Sequence, residues 1–166
     1  MASGDLLAVL TPQGNEPPAS AFGTFDTRNG YLVIDLDDTT DESAIFRFAV
    51  PNNYVGGGFT VKVLWMATSA TTGTISLDVA FMSVTDDADD LDTKAFAAAN
   101  NANPTTASAT GEVDYVSVTF TDGADSDSIA AGEMAFIKIT RDADGTTSTD
   151  NLVGDAEIVE ILIYET

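Results

Sequence analysis

Phe59-Thr60-Val61-Lys62-Val63-Leu64-Trp65-Met66-Ala67-Thr68 is the stretch that decides the fold. Phe59, Val61, Val63, Trp65 and Ala67 fall in one file, and Thr60, Lys62, Leu64 and Met66 in the other. Successive side chains of an extended chain point to opposite faces, so this alternation predicts a half-buried strand with Trp65 in its core file. Beyond Ser69-Ala-Thr-Thr-Gly73 the pattern repeats: Ile75, Leu77, Val79 and Phe81 align against Ser76, Asp78, Ala80 and Met82. A short link ending in Gly between two such runs predicts a β-hairpin.

The same rhythm extends outward in both directions. In 31–37, Leu32, Ile34 and Leu36 oppose Tyr31, Val33 and Asp35; in 44–50, Phe46, Phe48 and Val50 oppose Ile45, Arg47 and Ala49. Pro51 closes the second run because it cannot donate to a ladder. Toward the C-terminus, strands are expected over 113–121 (Val116, Val118, Phe120), 133–141 (Ala135, Ile137, Ile139) and 156–164 (Val159, Ile161, Ile163). Residues 85–112 break the rhythm with an acidic run and an Ala-rich stretch. Asp92 or Thr93 as a cap, followed by Ala95 to Ala99, predicts a short helix over about residues 92–99 in a long crossover. Gly56-Gly-Gly58 reads as a turn, since no Lys-Ser or Lys-Thr follows to make it a phosphate loop.

Residues 1–30 hold the apolar run Leu6 to Leu10, the breaker-rich Thr11 to Pro18 and a weak strand over 21–25. The expected organisation is an N-terminal arm and loop (1–30) ahead of one domain (31–166), the arm being suited to pair with a neighbouring subunit's sheet edge. Strands without alternating helices exclude a βαβ design. The expected fold is all-β, a two-sheet antiparallel β-sandwich of jelly-roll type rather than an immunoglobulin sandwich, whose Cys-Trp-Cys signature is missing.

The chain of 166 residues has no cysteine and no histidine. That removes disulfide frameworks, zinc fingers, Cys and His nucleophile systems, Ser-His-Asp triads and His-ligated metals. Its formal charge is −21, from 27 acidic and 6 basic side chains, and the acids are 20 Asp against 7 Glu. Lys62, Lys94, Lys138, Arg28, Arg47 and Arg141 are scattered, so neither nucleic acid nor an anionic membrane is an expected partner. The Asp excess fits the many turns of a β protein, with a surface adapted to high salt as the second reading. The start, Met1-Ala-Ser-Gly-Asp, lacks a basic n-region, so no export signal is expected.

Among so many carboxylates a glycosidase pair has to be considered, with Asp35, Asp78, Asp114 and Glu160 as the mid-strand candidates. Nothing in their spacing brings two of them together, so exposed sheet carboxylates are the simpler reading and no catalytic residue is assigned. The loops 37–42, 86–92, 122–127 and 142–150 offer hard oxygen ligands of the kind calcium uses, although none matches an EF-hand loop. No cofactor is expected; calcium is the one ion the loops would suit, with solvated turns as the simpler account. Tyr31, Tyr54, Tyr115 and Tyr164 are too dispersed in sequence to define an aromatic strip.

From Phe46-Arg-Phe to the C-terminus the layout resembles the small jelly-roll structural proteins of tailed bacteriophages and related viruses. The resemblance is carried by Phe59 to Gly73 leading into Thr74 to Phe81, by Ala131-Gly-Glu with Ile137-Lys-Ile-Thr-Arg-Asp142, and by the strand Ile158 to Tyr164. It implies a non-enzymatic virion-surface component: a capsid decoration (cement) protein, or alternatively a fibre module. Its implied partners are itself, as a homotrimer, and a major capsid or other virion protein, on a particle released by lysis. The competing classes are a carbohydrate-binding module taking host glycans, which uses the same fold, and then a glycoside-active enzyme.

Overall fold

A computed structural model of the chain describes residues 2–166. It contains ten strands: β1 (Leu6–Leu10), β2 (Thr24–Arg28), β3 (Tyr31–Leu36), β4 (Glu42–Ala49), β5 (Phe59–Ala67), β6 (Leu77–Val84), β7 (Asn100–Ala102), β8 (Asp114–Phe120), β9 (Met134–Arg141) and β10 (Ala156–Glu165). They form two antiparallel sheets. One has the order β2-β3-β10-β5-β8 with β1 also paired to β10; the other has the order β4-β9-β6-β7. The all-β sandwich expected from the alternation is present.

The core lies between the sheets. Phe59, Val61, Val63 and Trp65 of β5, 0–1% exposed, face Leu77, Val79 and Phe81 of β6 and Phe46 of β4, also 0–1% exposed. Phe81 packs edge-on against Phe120 with ring centroids 4.8 Å apart, and against Phe59 at 5.1 Å. Trp65 is therefore core, as its file required. Gly58 is needed where β5 begins: its φ is +83°, and a Cβ there would stand 2.3 Å from the Phe120 carbonyl oxygen.

Several expectations are corrected. β5 and β6 do not form a hairpin, because they belong to opposite sheets and the link 68–76 arches over the end of the sandwich. Both strands bury their apolar files in one core, so they face each other instead of pairing edge to edge. The arch is held by the Ile75 N–H donating to the Pro104 carbonyl at 3.0 Å and the Thr74 N–H to Asn151 Oδ1 at 2.7 Å.

No helix forms over 92–99. The only helical segments among the described residues are 3-10 turns at Pro12–Gly14 and Ala124–Ser126. Asp90 takes the N–H groups of Thr93 and Lys94 into a tight turn, and the Ala97 N–H then donates to the Phe81 carbonyl at 2.9 Å. Backbone bonding to the neighbouring strand thus replaces the intrahelical ladder that the Ala residues favour. The segment also covers the outer face of the four-stranded sheet. Lys138 Nζ lies 5.0 Å from the Phe96 ring centroid, and Ala80, Met82 and Phe136 are buried there although they lie outside the main core.

In β10 a bulge between Ile158 and Glu160 resets the alternation. Ile158, 1% exposed, joins Ile161 and Ile163 in the core in the place expected for Val159. The arm also finds partners within its own chain. Leu6–Leu10 pairs with β10 from Tyr164 to Ile161, and β3 pairs with β10 from Ile158 to Ala156. β1 and β3 thus share one edge of β10, so residues 6–10 and 24–28 are integral to the six-stranded sheet.

Candidate functional site

With the crossover over one sheet, the broad open surface is the outer face of the six-stranded sheet. The register β1-β10-β5-β8 lays its side chains in rows: Leu6, Tyr164, Thr60 and Thr119; then Val9, Leu162, Lys62 and Ser117; then Glu160, Leu64 and Tyr115. Leu6, Val9 and Tyr115 are 47, 48 and 61% exposed, an apolar and aromatic concentration on an otherwise acidic chain. The Lys62 ammonium lies 5.1 Å from the Tyr115 ring centroid and 5.3 Å from that of Tyr164. One cation thus ties two rings from different strands into a single platform. Beside it, Ser3, Gly4, Thr60, Lys62 and Tyr164 line a cleft of about 320 Å³.

The other end of the same face is ionic. Arg28 of β2 reaches across β3 to Glu157 of β10, its Nε 2.7 Å from both carboxylate oxygens, and its Nη2 donates to the Thr68 carbonyl at 3.2 Å. Glu157 is fully buried, and it pairs in register with Asp35 on β3. Burial, and then the negative charges of Asp155, Glu157 and Asp26, push the Asp35 carboxyl up to about 7, against which Arg28 pulls only weakly. Its Oδ1 is buried without a hydrogen-bond partner. A proton on Asp35 relieves this crowding of carboxylates around one guanidinium.

The four mid-strand carboxylates do not converge. Asp78 is in the other sheet, accepting from Asn101 Nδ2 and Thr147 Oγ1. Asp114 opens β8 opposite Trp65 and accepts the Tyr115 N–H. Glu160 stands in the Leu64 row, and Asp35 meets Glu157, which the sequence reading did not single out. Glu157 is clamped beneath Arg28, so the pair offers no free carboxylate to a substrate. The signal for Glu157 was its place one residue past Ala156, but its partner is set by strand order.

Two of the acidic loops meet at one end of the sandwich, in the groups Asp37, Asp38 and Asp155, and Asp41, Asp142 and Asp144. Their oxygens are largely committed to the protein. Asp38 accepts the Gly154 N–H, Asp37 those of Thr39 and Thr40, and Asp41 those of Ala143 and Asp144. Asp142 accepts from Thr146, Thr147, Ser148 and Ser76. Burial pushes its carboxyl up, but those hydrogen bonds outweigh it and hold the carboxyl well below the usual range. Close-packed turns account for these clusters.

The fold recurs in solved structures. The exo-β-1,3-galactanase of Phanerochaete chrysosporium, in its E208Q form with β-1,3-galactotriose, superposes with TM-score 0.54 at 14% identity, over 98% of this chain and 29% of that one. The same enzyme with galactose gives TM-score 0.52 at 13% identity, over 98% and 30% of the two chains. TmCBM27, a carbohydrate-binding module described for specific mannan recognition, gives TM-score 0.48 at 11% identity, over 99% of each chain. This chain spans less than a third of the galactanase, and at such identity the likeness is one of fold. No family model and no curated protein matches the chain.

Proposed function

We propose that this protein is a non-catalytic binding module that takes a glycan on the outer face of its six-stranded sheet. The observation that carries the reading is the platform of Tyr115 and Tyr164 held about Lys62, flanked by the hydroxyls of Thr60, Ser117 and Thr119. Aromatic rings offer apolar faces to sugar C–H groups, and neighbouring hydroxyls bond the sugar hydroxyls, which is the chemistry such a ligand needs. The shared fold with a segment of an enzyme seen with β-1,3-galactotriose supports the class of ligand. Titration calorimetry against a panel of oligosaccharides that includes β-1,3-galactotriose tests it. Binding is expected to weaken tenfold or more in Tyr115→Ala and Tyr164→Ala, and a panel without any binder rejects the reading.

A second reading, a virion-surface structural protein assembling with itself and a major capsid or other virion protein, rests on the sequence resemblance and is favoured by one surface. β2 ends the six-stranded sheet, and Phe22 and Phe25 beside that edge are 42 and 54% exposed. An unpaired strand edge with apolar neighbours suits a subunit contact. Mass spectrometry of purified particles with copy numbers, alongside the native mass of the isolated protein, tests this reading and its homotrimer. A monomer absent from particles rejects it.

A further inference from the structure

We infer that the sugar bound at this face is acidic, a hexuronate whose carboxylate is received by Lys62 in the cleft beside Tyr164; this rests on the glycan-binding reading above. The argument begins with the fate of the six cations. Arg28, Arg47, Lys94 and Arg141 each hold a carboxylate, at 2.7 Å from Glu157, 3.0 Å from Glu16, 3.1 Å from Asp89 and 2.9 Å from Asp150 respectively. Lys138 also lacks an ion pair among the described residues, but it lies on the other sheet, 5.0 Å from the centroid of the Phe96 ring of the covering crossover. Lys62 is the cation left on the open face, and it forms no ion pair among the described residues although the chain carries 27 acidic side chains. A ring quadrupole attracts an ammonium without cancelling its charge, so the site keeps a full positive charge between the two rings of the platform.

The surrounding carboxylates are placed so that an anion can approach from one side. Glu160 shares the face, but the register puts it in the Leu64 row, whereas Tyr164 and Thr60 stand on the other side of Lys62. The cleft lies on that second side. Glu165 borders the cleft from the opposite side of the sheet: it pairs with Phe59, is 2% exposed and accepts the Val55 N–H at 3.1 Å. A carboxylate in the cleft therefore meets the Lys62 ammonium, with the Thr60 hydroxyl in the adjoining row, 3.0 Å from Thr166 Oγ1 on the cleft wall. A charge-assisted bond of this kind is shorter and stronger than one to a neutral hydroxyl. Net charge of −21 opposes any polyanion at long range, but at about 0.15 M salt charges beyond roughly 8 Å are screened, and the local ammonium decides.

A hexuronate differs from its neutral hexose at one carbon, so the comparison isolates this contact. Titration calorimetry of the full chain at near-physiological salt, with α-1,4-linked trigalacturonate and with its neutral counterpart α-1,4-galactotriose, should show the acidic sugar bound at least tenfold more tightly. Lys62→Met should bring the ratio of the two affinities to within about threefold, and Lys62→Arg should keep the preference. Equal or tighter binding of the neutral sugar by the wild type, weakened by Tyr115→Ala, overturns the acidic ligand while leaving the glycan reading standing. Binding of neither sugar, nor of any other oligosaccharide, sinks both.

Discussion

Asp35 and Glu157 face each other across β3 and β10 with Arg28 serving as the cation nearest both. A carboxyl pushed up to about 7 in the folded chain, against an ordinary value near 4, keeps its proton in the folded state after the unfolded chain has lost it. The folded state then binds more protons, so this group's contribution to stability is full below about pH 4 and is lost as pH rises toward 7. Asp35→Asn should raise the melting temperature at pH 8 by about 2–8 °C. At pH 5, where Asp35 is already protonated, it should change little; equal shifts at both pH values would remove the explanation. Arg141 makes the opposite case. It is fully buried, bonds both oxygens of Asp150 and donates to the carbonyls of Leu36, Leu152 and Gly154. Arg141→Ala leaves the Asp150 carboxylate without its cation, held only by the Ser76 and Leu152 N–H groups, takes a donor from three carbonyls, and should cost about 3–5 kcal/mol in urea unfolding. Arg141→Lys should recover only part, because one ammonium cannot span that fork.

At the scale of elements, the strands with clean alternation were legible and their partners were not. Period two specifies which face of β3, β4, β5, β6, β8 and β9 is buried, but it does not say which strand lies alongside. Alternation therefore fits a hairpin after Ala67 as well as it fits an arch between sheets, while the tight hairpin is β2-β3, turned by Asn29 and Gly30 with φ of +50° and +82°. The crossover shows the other limit. Alanines favour a helix only where nothing better is offered, and the β6 edge offers the Ala97 N–H an acceptor. The arm yields a prediction of its own. Deleting residues 1–10 uncovers the β10 edge from Ile161 to Tyr164 and removes buried Leu10. The shortened chain should have a lower urea midpoint and a greater tendency to self-associate, measurable by equilibrium unfolding and sedimentation. An unchanged midpoint would show that β1 adds nothing to the sheet.

Over the whole molecule, −21 charges on one small sandwich repel each other, and ion pairing with only six cations cannot relieve this. Raising NaCl from about 0.01 to 0.5 M shortens the screening length from roughly 30 to below 8 Å. The melting temperature should therefore climb over that range; a fall would mean that the buried pairs at Arg28 and Arg141 outweigh the surface repulsion. The sequence by itself determined the all-β class, the core files about Trp65 and Phe81, and the exclusion of cysteine and histidine chemistry. Each of these depends on local periodicity or on residue types that are present or absent. Only the tertiary structure decided the candidate site. Lys62, Tyr115 and Tyr164 lie on β5, β8 and β10, far apart in the chain, and become neighbours because strand order and register place them so. Asp35 and Glu157 meet for the same reason. Alternation assigns a side chain to a face, whereas a binding platform needs side chains from several strands on one face, and that depends on which strands pair.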